Sequence, residues 1–327
     1  MNAVYLQTND AEKNEVVAFN RGANGTLTTL GSYATGGRGT GKPHLPSQSS
    51  IVVSGDRLLV VNAGSDDVSL FAIAADGLSL LDRAASGGST PTSVAVRDAN
   101  VFVLNAGGEA NVTGFTIGEA GLTPTGDTRA LAGSDPAQIG FTPDGASLIV
   151  SDRANDALLE LPVGGGEPMR HASSGATPYG FDFAPDGTLV VTEAFGGAVG
   201  AAATSSYSAG LQPVSKSVAN TRSEVCWAAV TKDGRYVFVT NFGDGSISSY
   251  AIGPDGSLSL VDPVAGSTVL GEKGVRDEAL SSDGRFLYTL DADARKVFAF
   301  AVRDDGRLDP VGDFDGLPAT AAGLAAV

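Results

Sequence analysis

The sequence predicts an all-β fold, a seven-bladed β-propeller built from four-stranded antiparallel blades. Three observations carry that prediction. An apolar run ending in one short polar residue recurs seven times along 327 residues. Asp-Gly turns punctuate the runs, and Asp-Gly between apolar segments is the strongest short-range hairpin signal because its turn needs positive φ. The chain carries 44 Gly and 15 Pro, which suits many short turns rather than long helices.

The recurring runs are YLQTN (ending at Asn9), LLVVN (Asn62), VFVLN (Asn105), LIVSD (Asp152), LVVTE (Glu193), VFVTN (Asn241) and LYTLD (Asp291), spaced by 53, 43, 47, 41, 48 and 50 residues. Segment 233–258, DGRYVFVTNFGDGSISSYAIGPDGSL, is nearly restated at 283–308 as DGRFLYTLDADARKVFAFAVRDDGRL. Each copy reads as four strands: a short one after a Pro-like corner (DPAQIGF, TPYGFDF), then the recurring run after a PDG or KDG turn, a third (VSLFAI, KVFAFAV), and a short fourth after a second DG turn. The middle strands are apolar on both faces, so both faces need cover. A period of 40 to 50 residues with four strands supplies it, each blade packing between two neighbours. The chain opens in a recurring run and ends in TAAGLAAV, so residues 320–327 are expected to pair with residues 4–8 and remove a free sheet edge. Blade 5 is the weakest copy. Its segment 194–210, AFGGAVGAAATSSYSAG, predicts an irregular third strand. No linker interrupts the series, and residues 1–327 are read as one domain.

The net charge is −16, with no run of Lys or Arg, which argues against a nucleic-acid partner. The one cysteine, Cys226, excludes an intrachain disulfide and suits a reducing compartment. The N-terminal MNAVYLQTND has neither the basic nor the apolar region of a signal peptide. No apolar stretch approaches membrane-spanning length. The expectation is a cytoplasmic protein with no membrane partner, monomeric or at most a weak dimer.

The seven copies, the DG turns and segments such as VVNAGSDDVSLFAI, CWAAVTKDGRYVFVTN and LSSDGRFLYTLD resemble the lactonase-type seven-bladed propeller family. That family includes 6-phosphogluconolactonases of the propeller kind and fungal carboxymuconate-lactonizing enzymes. The resemblance implies this fold for the whole chain and a small-molecule lactone or carboxylate as partner.

Antiparallel strands alternate direction, so the turns after the first and third strands share one face. The turns after the recurring runs, and the loops entering each next blade, share the other. The unusual polar residues fall on that second face. VRDEAL is the most informative corner. Arg276, Asp277 and Glu278 stand where other copies carry small or neutral residues. A guanidinium can hold a carboxylate through two parallel hydrogen bonds, and a neighbouring carboxylate can activate water. An ion pair tying blades together is the competing reading. Glu193 replaces the Asn or Asp of the other runs and is either a site carboxylate or a solvated charge. Asn62, Asn105 and Asn241 read as structural caps of their own turns.

His44, in KPHLP, is a candidate proton partner; the PH pair resembles a corner found in phosphogluconolactonase-like relatives. Gln48, Gln138 and Tyr179 suit a polar ligand, Gln48 and Gln138 as oxyanion donors, or else they satisfy backbone groups at strand ends. Trp227 offers a stacking surface beside Cys226, though both also read as packing between blades. Arg38, Lys42 and Arg222 lie on the longer loops and can meet an anion. GGRGTGKP (36–43) mimics a phosphate-binding loop, but Pro43 stands where Ser or Thr is needed, so it reads as an interblade loop. The reading is a metal-independent lactone hydrolase or lactonizing enzyme without a cofactor, with Arg276 orienting the substrate and Glu278 or Glu193 activating water. The competing class is a non-catalytic propeller that binds a ligand or protein through the same face.

Overall fold

The computed structural model describes residues 2–43, 45–119 and 121–327. Seven four-stranded antiparallel sheets follow one another along the chain. Their inner strands are Ile51–Ser54, Ser89–Arg97, Pro136–Phe141, Pro178–Phe183, Val225–Val230 and Val275–Leu280 in blades 2 to 7, and Ala322–Ala326 in blade 1. Successive inner strands touch and surround a central channel. The DG turns that begin segments 233–258 and 283–308 behave as the sequence requires: Gly234 and Gly284 sit at φ of 71° and 72°, where a side chain would be strained.

Closure follows the expected register. Ala322–Ala326 pairs antiparallel with Ala3–Gln7, setting Val4 against Ala326 and Leu6 against Leu324. Leu324 and Ala321 are buried with Val4, Leu6 and Phe19 of blade 1 and with Tyr288 and Leu290 of blade 7, so the joint has the same apolar filling as the other interfaces. In blade 5 the third strand, Ala203–Ser208, pairs in unbroken register with Leu189–Glu193 but shifts register twice against the outer strand Gln212–Ala219, so the expected irregularity lies on its outer side. The connection before it holds a short 3-10 turn at Phe195–Gly197.

The polar residues ending the recurring runs do more than cap their turns. Asn62 is fully buried and bonded to Asn14 and Thr35 of the preceding blade as well as to Asp67 and Ser69 of its own. Asn241 is bonded to Asn220, Ser246 and Ser248 in the same way. Each is a polar rivet between blades, and its full satisfaction removes the desolvation cost of burying an amide.

Candidate active site

In blades 4 to 7 the inner strand shifts register against its neighbour near one end of the channel, at Pro136/Ile139, Pro178/Phe181, Val225/Ala228 and Val275/Asp277. A bulge bends its strand and re-aims side chains. Tyr179, Cys226 and Arg276 lie within three of these bulges, at the mouth formed by the loops entering each blade.

Two guanidiniums flank this mouth. Arg153, next to the run-ending Asp152, lies 4.8 Å from the Tyr179 ring centroid, donates to the Tyr179 hydroxyl at 2.9 Å and pairs with Asp135 at 2.6 Å. Arg276 lies 4.8 Å over the Phe242 ring and pairs with Asp293 at 3.0 Å, while its Nε has no hydrogen-bond partner in the protein. Their side chains are only 15% and 11% exposed. Low exposure strengthens attraction for an anion relative to a solvated surface arginine. Between them is Cys226, whose thiol is pushed up to about 12, mainly by burial and then by Glu224, against the lowering pull of Arg276 and Arg153. A thiol so protonated is no nucleophile at neutral pH. Glu224 is held by Lys273 at 2.6 Å, and the Lys273 ammonium lies 5.4 Å from the Phe242 ring centroid. Burial pushes the Tyr179 hydroxyl well above its ordinary range, so it remains a neutral donor.

The mouth gathers Arg276 and Tyr179 of the sequence-derived candidates. Trp227 lies beneath them, wholly buried, with its ring 4.8 Å from that of Tyr179 and its Nε1 donating to the Arg276 carbonyl. Of its two expected readings packing between blades holds and ligand stacking is corrected, because the ring is wholly buried and forms a floor. For Gln48 and Gln138 the oxyanion role is corrected, and the alternative reading, satisfaction of backbone groups at strand ends, is the one the hydrogen bonds match. Gln138 donates to the Phe181 carbonyl at 2.9 Å and accepts from the Phe181 N–H at 2.7 Å. Gln48 does the same for Ala228, at 2.8 and 3.3 Å, reaching from blade 2 across the channel to blade 6. Gly180 permits this reach, since a Cβ there would meet Gln48 Oε1 at 2.8 Å. Both amides serve backbone groups in place of an oxyanion.

Glu193 is corrected on both expected readings. It is fully buried inside blade 5 and accepts from Ser205 at 2.6 Å, Ser217 at 2.7 Å and the Gly175 N–H at 2.8 Å. Burial pushes its carboxyl up, and those donors oppose the rise. Glu278 does not join Arg276. It is 2% exposed and lines a cavity of about 460 Å³ in the channel, whose far end is bounded by exposed Lys232 and Ser282 on the opposite face. Asp277, buried beside it, accepts from the Glu278 N–H at 2.8 Å. Arg222 pairs with Asp244 at 3.5 Å at the rim between blades 5 and 6, and Arg38 is exposed on the loop before blade 2. His44 lies outside the described residues. The sequence reading placed Glu224 and Arg153 on this face without giving them a role, and it left out Phe242. Their common signal is position: Arg153 and Phe242 each follow a run-ending residue directly, and Glu224 stands two residues before the Cys226 bulge.

A seven-bladed propeller whose mouth carries carboxylate-paired arginines braced on aromatic rings is the class of protein these features define. By sequence, residues 191–320 match the family described as lactonase, 7-bladed beta-propeller. The resemblance read from the repeats is therefore shown: the chain is similar to lactonase-type propellers, and the likeness of fold extends over its whole length. Pseudomonas aeruginosa periplasmic gluconolactonase superposes with a TM-score of 0.79 at 17% identity, covering 100% of this chain and 99% of that one. A putative 6-phosphogluconolactonase from Bacteroides fragilis gives 0.76 at 18%, with coverage of 100% and 98%. One from Bacteroides uniformis gives 0.76 at 19%, with coverage of 100% and 99%. At such identities the likeness is one of fold. No curated protein matches by sequence.

Proposed function

We propose that the protein hydrolyses a lactone ring in a polar, anionic small molecule at the mouth between Arg153 and Arg276, without a metal. The observation that carries this reading is the pair of largely buried guanidiniums on either side of the Cys226–Trp227 floor, with Glu224 and the neutral Tyr179 hydroxyl beside them. The substrate's carboxylate or phosphate docks on one guanidinium. Arg276 polarises the lactone carbonyl through its guanidinium. Glu224 takes a proton from water as its oxygen bonds to the carbonyl carbon. The tetrahedral intermediate collapses, the ring C–O bond breaks, and the proton passes to the departing alkoxide, leaving a hydroxy acid. Lactonization is the same path reversed. Metal independence is supported by the absence, among the described residues, of three His, Cys, Asp or Glu side chains placed to share an ion.

A pH-stat screen of sugar lactones, γ-butyrolactones and muconolactones in EDTA tests the proposal. Turnover of at least one class is expected. Arg276→Ala should impair both kcat and KM, and Glu224→Gln should lower kcat about 10²–10⁴-fold with little change in KM. Binding of these compounds without turnover would instead make the protein a non-catalytic ligand-binding propeller. Loss of activity in EDTA, restored by one divalent ion, would overturn the chemistry. A cytoplasmic location belongs to the same proposal and is supported by the single, buried cysteine. Cell fractionation checks it, since one similar structure is that of a periplasmic enzyme. Among the described residues no helix is long and apolar enough to cross a membrane.

A further inference from the structure

The channel cavity on the far side of Gln48 takes no part in that chemistry, yet it is built with unusual polarity. Glu278 lines it and is 2% exposed, and neither of its carboxyl oxygens has a hydrogen-bond partner in the protein. Asp277 Oδ2, buried beside it, also lacks one. Asp182 lines the same cavity from blade 5, close enough to act electrostatically on Glu278. Val52, Phe181, Ala228 and Leu324 supply apolar wall. The cation of the lining, Lys232, is exposed at the rim with its ammonium on the Ser282 carbonyl. The interior therefore offers acceptors of one charge sign at its inner end and apolar surface toward its opening.

A buried carboxyl without a partner is costly, and a ligand that satisfies it recovers that cost. A metal ion is a poor match. Among the described residues no three acidic or His/Cys side chains converge, and calcium would need six to eight oxygens. An ammonium group needs only three acceptors, and its alkyl tail can cover the apolar wall. We propose that this cavity binds a small primary alkylammonium ion, which enters from the Lys232–Ser282 face and places its nitrogen on Glu278 and Asp182.

Binding is linked to protons. Burial holds Glu278 and Asp277 well above the usual carboxylate range and Asp182 at about 6. The groups facing Glu278 are Asp277 on its own strand, Asp182 from blade 5 and Lys232 at the blade 6 rim; blade 2 presents Gln48, which does not titrate, and blade 1 presents Leu324 and, at the rim, Val327, whose carboxyl oxygen accepts from Arg21 Nε at 3.3 Å. An arriving ammonium favours the ionised carboxylate and expels its proton, so affinity rises from pH 5 to pH 8.

Calorimetric titration of the whole chain with n-butylammonium chloride, in two buffers of different ionisation enthalpy, tests this. A single saturable site with proton release is expected. Glu278→Gln should weaken it about 10-fold or more, the loss of one charge-assisted hydrogen bond. Asp182→Asn should weaken it in the same direction. The wild-type protein gives a second readout that no variant's folding can spoil: butylammonium should raise its Tm more at pH 8 than at pH 5. Equal binding of n-butanol, unchanged binding in Glu278→Gln, competition by calcium chloride or the absence of saturable heat would each overturn the proposal. Lactonase assays play no part in it, so it stands or falls apart from the chemistry at the other mouth.

Discussion

Asp182→Asn should change stability with opposite sign at pH 4 and pH 8. In the folded chain Asp182 accepts from the Val230 N–H at 2.8 Å and the Phe183 N–H at 2.8 Å, yet its enclosure in the channel wall pushes its carboxyl from 3.8 up to about 6. A raised pKa means that the native state holds a proton which the unfolded chain has already lost. Its contribution is therefore fully present below the unfolded value and is lost as pH rises through about 6. A shift of roughly two units is worth about 3 kcal/mol at 1.36 kcal/mol per unit. Asparagine removes that penalty but keeps only one good acceptor for two N–H groups, which costs about 1 kcal/mol. The net expectation is a gain of about 2 kcal/mol at pH 8 and a loss of roughly half a kcal/mol at pH 4, where the unfolded carboxyl is already about half ionised. Urea unfolding at both pH values measures it. Carboxyls held low, such as Asp233 at about 2, titrate below this window and cancel in the difference. A difference that stays constant from pH 4 to pH 8 would refute the reasoning.

Three further outcomes follow from the fold. Deleting residues 320–327 strips blade 1 of its inner strand and exposes Val4 and Leu6, so stability should fall by several kcal/mol; an unchanged thermal midpoint would sink the closure. Glu193→Ala leaves Ser205, Ser217 and the Gly175 N–H without their acceptor and should cost about 3–5 kcal/mol, with Glu193→Gln milder, while turnover per folded molecule holds; loss of turnover in a folded Glu193→Gln would return that residue to the site. Gln48→Ala frees both backbone groups of Ala228, so amide exchange at Ala228 should accelerate and stability should drop by about 2 kcal/mol; unchanged exchange would show that the bridge carries no weight.

The ring was legible because its signals are local and repeated. Alternating apolar runs, DG turns and one short polar residue per blade each specify a strand or a turn without reference to distant parts of the chain. The site was legible only in outline. Arg276 and Tyr179 stood out by chemistry, and the mouth followed from the alternation of turns. Glu278 was misplaced because a single bulge at Arg276 separates two residues that plain alternation would set on one side of the strand. Glu193 looked functional because it broke a pattern. It breaks it to reach three donors, and two of those are serines supplied by the outer strands of its own blade. Gln48 stayed between an oxyanion donor and a partner for backbone groups, since the backbone groups that decide it are 180 residues away.

The reach of Gln48 across the ring makes a strut between blades 2 and 6, which are not neighbours around the axis. Adjacent blades hold one another side to side, and such contacts alone let a closed ring deform by small slips shared among its joints. A strut fixes a diameter instead, so a displacement of blade 6 is passed to blade 2 without travelling through the blades between them.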